Sequence, residues 1–208
     1  MAIPVIITFP ASGAATIAAL QTTGAAGTLP FPISYSEPSI QRKLTLTSGA
    51  DISGVTFTFT GLDANGLAVT EDLLGPSSNT VTTVNEYSPD TRTLVITTDA
   101  AVSSAVSVGT GTVGTTRWIE NNIHFGPFNV GLAVYISGTA SVTVQDSPAN
   151  NPVTDTIVPV FNHPVLAAIT ASAESNYAFP GSWTRAVLNS STSPAVVVFY
   201  NTQAGVRN

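Results

Sequence analysis

Leu44 and Leu46 alternate with Thr45 and Thr47, and Val55, Phe57 and Phe59 alternate with Thr56, Thr58 and Thr60. A period of two puts one set of side chains on a buried face and the other in solvent, so these runs predict β-strands, with β-branched Thr suiting the outer face. Asp63-Ala64-Asn65-Gly66 follows. Its Asn-Gly pair tolerates positive φ, which predicts a hairpin between Val55–Thr60 and Leu67–Glu71 with a type I′ turn. Gly75-Pro76 closes that hairpin. Further strands are expected at Thr80–Val84, Thr91–Thr97 and Ala105–Val108. Turn residues recur at the spacing of a sandwich or barrel rather than of βαβ units.

The alternation breaks at Gly109–Thr116, a Gly/Thr-rich run read as a flexible loop between two units. It restarts with Val130, Leu132, Val134 and Ile136; Ser137-Gly138 turns the chain, and Val142 and Val144 answer on the next strand. Pro148, Pro152, Pro159 and Pro164 confine the following segment to edges and loops. Ala195–Asn201 ends the pattern as an apolar strand. Residues 1–36 differ: Ala, Gly, Thr and Pro dominate, and Ala14–Gln21 has the composition for two helical turns. No alternation pins this stretch into a sheet of its own, so it is expected to be an extended arm covering a partner, with residues 37–208 folding without it. The expected fold is therefore all-β, with two antiparallel β-sandwich or jelly-roll-like units, 37–115 and 116–208, and an N-terminal arm at 1–36.

Composition narrows the functions. Only 9% of residues are charged, the net charge is −6 and there is no cysteine. Ordinary domains are ~25% charged, and here Ser and Thr, about a quarter of the chain, take the place of charge. Six Lys and Arg spread along the chain do not make the clusters that neutralise phosphates, which argues against a nucleic-acid partner. Disulfides and thiolate metal sites need cysteine. Residues 14–20, the most apolar early stretch, fall short of the ~20 residues of a membrane span, and no base precedes Arg42 to form a secretory n-region. The expected setting is the cytosol, without a membrane partner; the sequon Asn189-Ser190-Ser191 then carries little weight.

Each candidate constellation has a plainer explanation. Gly109-Thr110-Gly111-Thr112-Val113-Gly114 fits G-x-G-x-x-G, but a dinucleotide site needs a helix opening at the last glycine, and β-prone Thr115–Ile119 follows. A zinc site would take His124 and His163 with Glu120 or Asp155; Asn121 and Asn122 interrupt the helix that Glu120–His124 spacing requires, so polar loop residues are expected. Glu71 and Asp72 are adjacent on a strand and face opposite ways, so they cannot flank one substrate bond. Asp63 and Asn65 open like a calcium loop, but Leu67 and Val69 follow where oxygens are needed. Trp118, Phe125 and Phe128 come closest to an aromatic patch for stacking sugars. The reading is of a non-enzymatic chain with no catalytic, cofactor or metal residues.

The stretch Leu46–Gly66, continuing through Glu71 to Leu74-Gly75-Pro76, resembles a recurrent pattern of tailed-bacteriophage virion structural proteins, and Asn129–Gln145 resembles their second half. Pro180–Arg185 and the ending Thr202-Gln203-Ala204-Gly205 are similar too. The resemblance covers most of residues 40–205 and implies a structural protein of the virion, assembled in the bacterial cytoplasm. The implied role is capsid decoration, or cement, that stabilises the shell, with the major capsid protein and further copies of the chain, as a trimer, for partners. A tail or collar accessory, a fibre, or a β-sandwich that binds host surface glycans are the other readings.

Overall fold

The computed structural model describes residues 5–31, 36–37, 39–123, 129–177, 181–192 and 195–203, with Leu20 described by its backbone alone. The described residues contain no helix and form sixteen strands. In chain order these are β1 (Val5–Phe9), β2 (Gly13–Thr23), β3 (Gly27–Thr28), β4 (Ile40–Ser48), β5 (Thr56–Leu62), β6 (Ala68–Leu74), β7 (Thr80–Tyr87) and β8 (Val95–Thr98). There follow β9 (Val102–Thr116), β10 (Ile119–Glu120), β11 (Val130–Ser137), β12 (Ala140–Ser147), β13 (Phe161–Asn162), β14 (Ala173–Tyr177), β15 (Trp183–Ser191) and β16 (Val196–Gln203). The fold is all-β, as the alternation predicts, and its arrangement is sandwich-like. Two compact units divide the chain: a continuous one, Ser12–Gly114, and a split one made of Met1–Ala11 and Thr115–Asn208.

In the continuous unit, β2 pairs with β9, β9 with β4 and β4 with β7, while β3-β8-β5-β6 forms a second sheet. Phe57 and Phe59 on β5 are fully buried and pack in one cluster with Leu44, Leu46, Tyr87, Leu94 and Ile96. Each buried ring stabilises the fold by about 1.5–3 kcal/mol relative to exposure. The Thr residues between them face outward or sit half-buried. The expected hairpin forms, with Thr60 opposite Thr70 and Leu62 opposite Ala68. Its turn is not type I′. Among the described residues only Ser78 and Ala168 are non-glycines with positive φ, so Asn65 is not, while Gly66 has φ +86°. The N–H of Gly66 bonds the Asp63 carbonyl at 3.1 Å, and the N–H of Asp63 bonds the Leu67 carbonyl at 2.8 Å. That is a three-residue loop with one left-handed glycine. The Asp63 carboxylate holds it from inside, accepting the N–H groups of Asn65 and Leu67, both at 2.8 Å.

Residues 13–23 are a strand, not helical turns. β2 sits on β9 with Gly13 opposite Thr110 and Ala18 opposite Val108, in a register that shifts several times. Two helical turns would be marginal in water, and a free sheet edge offers the same backbone groups permanent partners. The supposed loop 109–116 belongs to β9 as well. Its glycines serve packing rather than flexibility. A Cβ on Gly109 would overlap the carbonyl of Gly13 and the backbone of Ala14, and one on Gly114 would overlap the Gln41 carbonyl. Further along, Ser36 donates to Asp90 at 3.1 Å and the N–H of Leu29 bonds Ile96 at 2.8 Å. Residues 5–9, 13–23 and 27–28 are thus strands of the sheets, not a separate arm.

In the split unit, β1-β16-β11-β14 forms one sheet, and β13-β12-β15 with β10 forms strands of another. β1 closes against the far end of the chain, Val5 opposite Asn201 and Phe9 opposite Val197. Ile7 and Phe9 are buried, so the alternation exists even here; Pro4 and Pro10 mask it in the sequence. The turn at Ser137-Gly138 is not a hairpin, because β11 pairs with β14 and β16 while β12 pairs with β13 and β15. It carries the chain from one sheet to the other. Val130, Leu132, Val134, Val197 and Phe199 on the first sheet and Val142, Val144, Ala186 and Leu188 on the second are all buried. The proline-rich stretch after β12 contributes only the short β13 before β14.

Candidate functional site

The sequence candidates do not assemble into one site. β9 runs straight through Gly109–Gly114 and ends at Thr116 with no helix after it, so the phosphate-cradling geometry of a dinucleotide loop is not formed. His124, Phe125 and Phe128 lie outside the described residues. His163 is buried, its Nδ1 accepting the N–H groups of Val165 and Leu166 at 3.1 and 3.2 Å and its Nε2 facing the Asn176 carbonyl at 3.2 Å. Its ring packs 4.7 Å from that of Tyr177. Both ring nitrogens are therefore occupied by backbone, and the imidazole fastens the loop after Pro159. Asp155 accepts the N–H of Asn151 at 2.9 Å and closes a local turn. Among the described residues no group of three His, Cys, Asp or Glu side chains is placed to hold a metal ion.

Glu71 and Asp72 diverge as strand geometry demands. Glu71 accepts the N–H groups of Val84 and Asn85 at 2.7 and 2.9 Å, tying β6 to β7, while Asp72 accepts the Thr58 hydroxyl at 2.6 Å. Trp118 is 7% exposed, and the Arg185 guanidinium lies over its ring at 4.4 Å. That face is taken by a cation, so Trp118 offers no platform for a sugar. Asn189, on β15, donates to the hydroxyls of Ser141 and Thr143 at 3.2 and 2.9 Å.

Two features of the split unit remain as candidate sites. The first is the outer face of the sheet β1-β16-β11-β14. Register places Ile6 opposite Tyr200 and Tyr200 opposite Ala133, and in the next row Thr8 opposite Val198 and Val198 opposite Tyr135. Ile6 and Tyr135 are 53% and 54% exposed. Glu174 and Asn176 on β14 border this apolar strip, opposite Ala133 and Gly131.

The second is a cleft of about 390 Å³ lined by Glu120, Asn121, Asn122, Ile123, Asn150, Ser182 and Trp183. Glu120 stands opposite Trp183 in the β10–β15 pair, so the two side chains share a face. The indole N–H of Trp183 donates to the Asn150 carbonyl at 3.2 Å, which fixes the ring. Behind them, Asn121 donates to the Gly181 carbonyl at 2.9 Å and to the Thr184 hydroxyl at 2.7 Å, and accepts from Asn201 at 3.3 Å. The Gln203 amide clamps the backbone of Asn122, accepting its N–H at 2.7 Å and donating to its carbonyl. The wall of the cleft is thus braced by the amides of buried Asn121 and half-buried Gln203. Sequence reasoning weighed Glu120 as a zinc ligand and set it aside as a polar loop residue; it missed Asn150, Ser182 and Trp183, which no spacing connects to Glu120. In comparisons with known proteins, no family model matches the chain and no curated protein matches it.

Proposed function

We propose that the chain is a non-enzymatic virion structural protein of the tailed-bacteriophage type, a capsid decoration protein that stabilises the shell. Its partners are the major capsid protein and its own copies in a trimer. The observation that carries this reading is the outer face of β1-β16-β11-β14, where Ile6, Tyr200, Val198, Ala133 and Tyr135 stand in two adjoining rows. Apolar strips with polar borders mark interaction surfaces. A surface poor in charge and rich in hydroxyls supports the same reading, since lateral packing desolvates few ions. Weak contacts of this kind add up when many copies engage one lattice.

The experiment is add-back to particles stripped of this protein. The wild-type chain should rebind in hundreds of copies per particle, and Ile6→Lys with Tyr135→Lys should weaken rebinding by about tenfold or more with the far-UV spectrum unchanged. Rebinding in only a handful of copies would place the protein on the tail or collar instead. Full-strength rebinding of the doubly substituted chain would overturn the role of this face.

A further inference from the structure

The cleft beside Trp183 carries hydrogen-bonding capacity that the fold does not use. Glu120, Asn150 and Ser182 all line it, and none of their side chains has a hydrogen-bond partner among the described residues. The indole of Trp183 lines it too, held by its N–H bond to Asn150. Residues bearing an acceptor-only carboxylate, an amide that both donates and accepts, a hydroxyl and an aromatic ring therefore border one space. Its volume, about 390 Å³, lies within the range of small-ligand sites.

The chemistry of the lining selects among ligands. No Lys or Arg lines the cleft and Glu120 does, so phosphate, sulfate and carboxylate groups are repelled. One carboxylate is too few for a hard cation, which takes six or more oxygens. A purely apolar ligand would strand the carboxylate, amide and hydroxyl without water, at a cost of about 1–3 kcal/mol for each. A neutral polyhydroxylated ring satisfies all four groups. Its hydroxyls donate to Glu120 and exchange bonds with Asn150 and Ser182, and its C–H face covers the indole. The geometry points to a binding site for a neutral sugar residue of a glycan in this cleft. The supporting amides of Asn121 and Gln203 hold the wall before the ligand arrives, which lowers the entropy lost on binding. This site is separate from Trp118, which with Phe125 and Phe128 came closest in the sequence to an aromatic patch and whose ring is covered by Arg185.

The test uses the full chain on an array of immobilised neutral oligosaccharides, with sialylated and sulfated glycans and an oligolysine peptide as contrasting probes. The wild type should be retained by at least one neutral glycan, and Trp183→Ala and Glu120→Ala should each cut retention by about tenfold or more. Glu120 is exposed, so Glu120→Ala keeps the test open should Trp183→Ala fail to fold; an unchanged far-UV spectrum checks this. The chain has two tryptophans, and Trp118→Phe leaves Trp183 as sole reporter, whose emission should shift on adding the retained glycan. Retention by no neutral glycan would overturn the proposal, as would retention only by the acidic glycans or the peptide. Equal retention of wild type and both cleft variants would overturn it too.

Discussion

Asn201 donates its side-chain amide to the side-chain oxygen of Asn121 at 3.3 Å, a bond made inside the split unit. Asn201 belongs to β16 on one sheet, while Asn121 is anchored to Thr184 of β15 on the other. Asn121, Thr184 and Asn201 are all buried. A polar bridge in a dry interior is worth keeping only when every member is satisfied, because each orphaned group costs its full desolvation. Asn121→Ala should therefore lower stability by about 2–4 kcal/mol, read as the midpoint of urea unfolding. Replacing both partners, Asn121→Leu with Asn201→Leu, should cost less than the sum of the single changes, since fewer groups are left unpaired.

Close backbone approach sets a second expectation. A Cβ on Gly109 meets the backbone of Gly13 and Ala14, whereas one on Gly24 meets nothing within 4 Å. Gly109→Ala should push β2 off β9 and cost about 3 kcal/mol or more, in the range of severe overpacking. Gly24→Ala should be nearly neutral. Thermal unfolding of the two variants separates them, and equal midpoints would contradict the packing role.

The hairpin turn separates Asn65 from Gly66. With φ +86° at Gly66 alone of the pair, Gly66→Val should destabilise by more than about 1 kcal/mol. Asn65→Ala should cost distinctly less. A type I′ turn would have penalised both positions, so the pair of midpoints reports the turn directly.

Asp90 gives a pH dependence with a definite sign. The side-chain hydrogen bonds from Arg92, with the Arg92 backbone N–H and the Ser36 hydroxyl adding to them, hold its carboxyl down at about 2. A carboxyl depressed below its unfolded value of about 3.9 stabilises the fold above that pH. The contribution fades as pH falls from about 4 towards 2. Arg92 is 67% exposed at its side chain, so solvent screening reduces the effect to about 1 kcal/mol. The stability gap between wild type and Asp90→Asn should shrink by about that amount between pH 7 and pH 2. A constant gap would remove the ion pair from the account.

Deletion of residues 1–36 tests how far the beginning of the chain is structural. Ile7, Phe9, Ile17, Ala18 and Leu29 are all buried, and their loss would bare the edges of β16 and β9. The shortened chain should aggregate or unfold on expression, judged by gel filtration and far-UV spectra. A soluble β-rich monomer would restore the picture of a detachable arm.

Period-two alternation made the fold class legible, and β5–β6 most of all, because Phe57 and Phe59 alternate with Thr and an Asn-Gly pair follows. The start of the chain was not legible. Prolines bracket β1, and β2 is built of Ala and Thr whose strand character comes from the partner β9 rather than from local preference. The run 109–116 misled for a related reason: its glycines look like flexibility, yet they record the nearness of Gly13, Gln41 and Lys43. The cleft was illegible because Glu120, Asn150 and Trp183 are distant in sequence and meet only through the pairing of β10 with β15 and the bond from the Trp183 indole to the Asn150 carbonyl.

The pairing of Val5 with Asn201 gives the molecule a timetable. The continuous unit, Ser12–Gly114, is made as one unbroken stretch before the strands β10 to β16 follow. β1 is made earlier still, but its partner β16 is the last of the described strands to be synthesised. Ile7 and Phe9 on its buried side wait exposed until β16 is made, and that pairing closes a long loop, a slow step by topology. Slowing the ribosome would therefore favour the middle of this protein and prolong the exposure of its beginning.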